Sequence, residues 1–97
     1  MITVYADRGA EKCRLFVSGH AEEGAERDIV CAGVSALTGA MVLWAAKGGS
    51  CRRVRYQLEA GKVFLSCLGA TESFDMMLAG LEAIAHRYPD HLCIRRS

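Results

Sequence analysis

The 97-residue sequence has a single proline, Pro89, and no stretch rich in proline, glycine or serine of the kind that joins domains. It has no Cys-x-x-Cys pair. Its five cysteines, at 13, 31, 51, 67 and 93, are odd in number and widely spaced, which argues against a zinc framework and a disulfide scaffold. It lacks a charged N-terminal stretch followed by an apolar run, so no secretory signal is expected, and unpaired thiols suit a reducing cytoplasm. It has little net charge, +1 at pH 7, and so no global field toward nucleic acid or an anionic membrane. No internal repeat or low-complexity segment is present. What is there is 52% hydrophobic and 24% charged, the composition of a globular protein. One domain over residues 1–97 accounts for the length. A chain this small buries only about 60–65% of its unfolded surface, so a second subunit would add stability.

Charge is uneven along the chain. Glu22, Glu23, Glu26 and Asp28 stand against Arg27 alone, and basic residues gather at Arg52, Arg53 and Arg55 and at Arg95 and Arg96. Such clusters are ordinarily solvated, although an acidic loop also attracts a basic partner. The arginines are not interleaved with aromatics, so direct nucleic-acid binding is not expected. Residues 29–46 carry only Ser35 and Thr38 as polar side chains, which reaches the lower length limit of a membrane span. The run is rich in alanine and glycine and has no aromatic belt, so it reads as a buried helix and no membrane is expected.

Residues 2–6 are β-branched and aromatic, 7–10 form a turn, and 13–18 alternate, which predicts a hairpin. A polar loop follows over 20–27. Asp28 is a candidate N-cap for a helix running to about Lys47 and closed by Gly48-Gly49. That helix is apolar nearly all round, which predicts burial on more than one side. A second hairpin is predicted over 52–59 and 62–68, turning at Ala60-Gly61. Residues 71–88 form an amphipathic helix with the stripe Phe74, Met77, Leu78, Leu81, Ile84, Ala85 and Tyr88, and 91–95 a last strand. The fold class is therefore α+β, a mostly antiparallel sheet with two helices in the order β-β-α-β-β-α-β.

One stretch carries possible chemistry: Gly19-His20-Ala21, the acidic loop, then Asp28-Ile29-Val30-Cys31-Ala32-Gly33. It sets His20 at a strand end and Cys31 in the first turn of a helix. A helix N-terminus favours the thiolate, the reactive form of cysteine. Free amides in that turn suit an oxyanion, and an imidazole can take the thiol proton and return it to a leaving amine. The acidic side chains disfavour a thiolate but stabilise an imidazolium. Asp28 has two readings, helix cap or third member of a triad. Cys31 also has a structural reading, since cysteine is among the most buried residue types. Cys13, Cys51, Cys67 and Cys93 fall in strand patterns and read as structural. His86 and His91 read as surface groups, Trp44 as core or interface, and Met76-Met77 as packing.

The string Ser18-Gly19-His20-Ala21 followed by Asp28-Ile29-Val30-Cys31-Ala32-Gly33-Val34-Ser35-Ala36 closely resembles the ribosomal-processing cysteine protease family (Prp). The resemblance also covers length and element order, so effectively the whole chain. It implies Cys31 as catalytic nucleophile and His20 as its base, with supporting roles on Asp28 and Ser35. It implies a cytoplasmic homodimer without metal or organic cofactor. The substrate it implies is a ribosomal protein precursor, trimmed of an N-terminal extension after an aromatic-containing hydrophobic motif. The loop here is one residue shorter than the family's and carries Glu26 and Arg27 where a glycine is usual. A non-catalytic ribosome-assembly or peptide-binding module on the same fold is the alternative reading.

Overall fold

The computed structural model describes residues 1–21 and 24–97; Glu22 and Glu23 of the acidic loop lie outside the described residues. Seven elements follow one another: β1 (Ile2–Arg8), β2 (Lys12–Ser18), α1 (Arg27–Lys47), β3 (Cys51–Glu59), β4 (Lys62–Gly69), α2 (Thr71–Arg87) and β5 (Leu92–Arg96). The order is the one the sequence patterns predict. The sheet runs β3-β4-β2-β1-β5. Three pairs are antiparallel and one, β1 with β5, is parallel.

Alternation decides which face of the sheet is buried. Ile2, Val4 and Ala6 of β1, Cys13, Leu15 and Val17 of β2, and Val63, Leu65 and Cys67 of β4 all point into the core. Register stacks them into rows: Val4 faces Val17 and Val17 faces Val63, while Ala6 faces Leu15 and Leu15 faces Leu65. Against these rows α1 lays Val30, Val34, Thr38, Met41, Val42 and Ala45, and α2 lays Phe74, Met77, Leu78 and Leu81. Burial of a large apolar side chain contributes roughly 1.5–3 kcal/mol, so this shared layer is the main source of stability. The two helices approach closely where they lack side chains. A Cβ at Gly33 would come within 2.9 Å of Ile84, and one at Gly80 within 2.9 Å of Leu37.

Several expectations need correction. The chain covers one face of α1 and leaves Ile29, Leu43 and Trp44 exposed, Ile29 by 58% and Trp44 by 55%. Trp44 is thus not a core residue. Met77 packs in the core as expected, but Met76 is 73% exposed, because the adjacent position on a helix points about 100° away. α1 is long and apolar enough to cross a membrane, yet here one face of it packs on the core. It ends at Gly48 in extended rather than left-handed backbone, with the Gly48 N–H on the Ala45 carbonyl at 3.3 Å.

Candidate active site

His20 is placed by backbone. β2 ends at Ser18, and Gly19 turns the chain with φ +95°, a conformation glycine adopts without steric cost. A Cβ there would also strike the Met1 carbonyl oxygen. The Gly19 N–H donates to the Gly61 carbonyl at 3.2 Å, and the Met1 nitrogen donates to the His20 carbonyl at 2.9 Å. Ala21 then drops into the core, 5% exposed, so His20 is clamped between two fixed neighbours. Its exposed ring lies on Gly61, at the tip of the β3–β4 hairpin. Gly61 has φ +75°, and a Cβ there would sit 2.6 Å from ring atoms of His20.

Cys31 comes from the other layer. α1 begins at Arg27, so Cys31 is its fifth residue and opens the second turn rather than lying in the first. It is half-buried, and a free thiol. Cys31, Ser35 and His20 line one cleft of about 480 Å³. Cys31 and Ser35 are four residues apart and so share a helix face. Val17, Val34, Leu58 and Val63 supply apolar walls, and Gly39, Glu59, Ala60, Gly61 and Lys62 complete the rim. Thr38 also lines it, but its hydroxyl donates back to the Val34 carbonyl at 2.8 Å and is committed to the helix.

Asp28 is not among the cleft-lining residues. Nor is it the cap. The N-cap position falls on Glu26, no side chain caps the helix, and Asp28 lies one residue inside the first turn. Its side chain, 90% exposed, points away from the cleft and pairs with Arg27 at 3.3 Å, which offsets its charge. An exposed pair of neighbouring residues contributes little to stability. His91, expected at the surface, is largely buried and faces Glu26, with Nε2 3.6 Å from Oε2. The hairpin tip is the part of the site the sequence pattern missed. Ala60-Gly61 is legible as a turn, but nothing local in it tells that a histidine forty residues away rests on it.

The remaining thiols lie elsewhere. Cys13 and Cys67 face each other across β2 and β4, both buried, and Cys51 opens β3 half-buried beside them. Burial pushes the Cys67 thiol up to about 12, and the neighbouring Cys51 and Cys13 add to the rise. Burial likewise raises Cys13, against a smaller opposing pull from Arg8. A protonated thiol is a poor nucleophile, so these groups are inert by environment.

A family model described as cysteine protease Prp matches residues 1–93. No curated protein matches the chain by sequence. The essential ribosomal processing protease Prp of S. aureus, solved with a covalently linked product peptide, superposes with a TM-score of 0.81 and 27% identity, covering 100% of both chains. The same protease with a substrate peptide gives a TM-score of 0.81 at 24% identity, again over 100% of both chains. SMU.848 of Streptococcus mutans gives 0.77 at 22%, covering 99% of this chain and 96% of that one. The last two speak for the fold alone.

Proposed function

This chain belongs to the cysteine protease Prp family, and from that premise we propose that it removes the N-terminal extension of a bacterial large-subunit ribosomal protein, with Cys31 as nucleophile and His20 as base. The observation that carries the assignment is the shared cleft: the two residues come from opposite layers of the fold and line one cavity. The S. aureus relative, a ribosomal processing protease solved with substrate and product peptides, supports the substrate class.

In the proposed reaction a peptide lies across the cleft between α1 and the β3–β4 tip. Cys31 Sγ attacks the scissile carbonyl carbon while His20 takes the thiol proton. The oxyanion is held by the Asp28 and Ile29 amides in the first turn of α1, where the Glu26 side chain makes no cap hydrogen bond. The tetrahedral adduct collapses, the C–N bond breaks, and His20 gives its proton to the leaving amine. Water then attacks the thioester with His20 as base, releasing the carboxylate product and restoring the thiol. Ser35 supports the reaction from within the cleft. Asp28 has only an indirect supporting role: it lies outside the cleft with its charge offset by Arg27, so it adds little negative charge where the oxyanion forms.

The working form is a cytoplasmic homodimer. Ile29, Leu43 and Trp44 on α1 and Met76 on α2 are exposed apolar side chains, and Leu37, Met41, Trp44, Met76 and Met77 line an apolar groove of about 400 Å³ between the helices. A second copy would cover this surface. The protease acts without a cofactor and without contacting nucleic acid or membrane. The test is mass spectrometry of the precursor ribosomal protein after incubation with wild type and with Cys31→Ala. Cleavage at one N-terminal site by the wild type only is expected. Cleavage by the folded variant would end the assignment of Cys31.

A further inference from the structure

Glu26 holds the N-cap position of α1 yet does not cap it. Its carboxylate instead faces His91, with Nε2 3.6 Å from Oε2. The His91 side chain is only 13% exposed, and its Nδ1 is buried without a hydrogen-bond partner among the described residues. The ring is thus enclosed beside the Glu26 carboxylate instead of turning freely in solvent.

The backbone shows what holds it. The His91 N–H donates to the Tyr88 carbonyl at 3.0 Å, and the His91 carbonyl accepts the Ile2 N–H at 2.9 Å. The preceding residue, Met1, donates to the His20 carbonyl at 2.9 Å. Two adjacent residues thus fix the backbones of both histidines. One histidine lines the cleft; the other meets Glu26, five residues before Cys31. Glu26 itself remains close to the helix start through its own carbonyl, which accepts the Val30 N–H at 3.1 Å.

We propose that His91 is a positioning residue for this protease, which sequesters the Glu26 carboxylate away from the start of α1 and so keeps the Asp28 and Ile29 amides open to the oxyanion; the Arg27 N–H is already on the Gly24 carbonyl at 3.3 Å. The inference rests on the assignment of Cys31 and His20 above. Released from His91, an acidic side chain at the N-cap position competes for those amides and places negative charge where the oxyanion must form. The same charge disfavours the Cys31 thiolate.

The test compares wild type, His91→Ala, His91→Gln, Glu26→Ala and the double variant His91→Ala/Glu26→Ala. Three quantities are measured: iodoacetamide alkylation of Cys31 located by peptide mapping near neutral pH, kcat and KM on the precursor, and the thermal midpoint. His91→Ala is expected to slow Cys31 alkylation and kcat roughly tenfold, the scale of a displaced catalytic geometry, with little change in KM. His91→Gln, which retains a donor for Glu26, keeps most of the rate. The decisive result is recovery of the rate in the double variant, because a merely structural histidine would not be rescued by deleting its partner. Unchanged kcat and alkylation in His91→Ala, or a double variant no faster than His91→Ala, overturns the proposal. If His91→Ala does not fold, a loss of rate in folded His91→Gln as large as tenfold also overturns it. Wild-type Cys31 no more reactive than Cys51 would instead refute the nucleophile assignment, and the sequestering role would fall with it.

Discussion

Cys31 and Cys67 have the same side chain in opposite surroundings. Cys31 stands near the start of a helix, half-buried, on the wall of an open cleft that also presents an imidazole. Cys67 sits in the middle of the sheet, 2% exposed, among other thiols and hydrocarbon, its proton held to about pH 12. Reactivity in this protein is thus a property of place. The sheet interior uses cysteine as a small apolar residue, whereas the cleft leaves it lining an open cavity with an imidazole.

The largest expected effect sharpens that contrast. A thiol held at about 12 carries about a thousandfold less thiolate than one at the usual 9, so Cys67 should be nearly silent to alkylation at neutral pH. Peptide mapping after brief iodoacetamide treatment should find label on Cys31 long before any on Cys67, and His20→Ala should narrow the gap. Comparable labelling of the two would break the comparison. A smaller effect is expected at the hairpin tip. Gly61→Ala puts a methyl into the His20 ring and a side chain into left-handed backbone. It should cost about 1–2 kcal/mol of stability and lower kcat roughly tenfold, read from denaturant titration and precursor cleavage. A last effect, absent at neutral pH, belongs to the buried thiol itself. Unfolded Cys67 ionises near 9 and the folded form near 12, so between those values the unfolded chain binds fewer protons. Stability from this group is constant below about pH 9 and falls as pH rises toward 12. Denaturant midpoints should therefore decline more steeply in wild type than in Cys67→Ala across that window.

Much of the fold was legible because its signals are local. Alternation over 13–18 fixes the face of β2, and steps of three and four over 74–88 fix the stripe of α2; each buries the residues expected. The motif around His20 and Cys31 was equally plain, and the structure brings the two to one cleft. What stayed hidden depends on which surfaces meet. No pattern within 91–96 says that β5 lies parallel to β1 rather than antiparallel to another strand. That pairing is also what buries His91, so a residue with an exposed-looking neighbourhood becomes a partner of Glu26. Asp28 is misread by one turn's geometry. A favoured cap residue loses that position when the helix starts two residues earlier, and its carboxylate pairs with Arg27 instead.

The parallel union of β1 with β5 also sets an order in time. β1 can find β2 as soon as both have been synthesised, but its other edge waits for residues some ninety positions later, from Ile2↔Leu92 to Ala6↔Arg96. Closing so long a loop adds entropy cost that short hairpins avoid, and a chain emerging from the ribosome gains that strand last. His91 arrives with it. A partly made chain therefore has Cys31 and His20 but not the strand that sets the frame around them, and the cleft comes into its final shape only once β5 has been made.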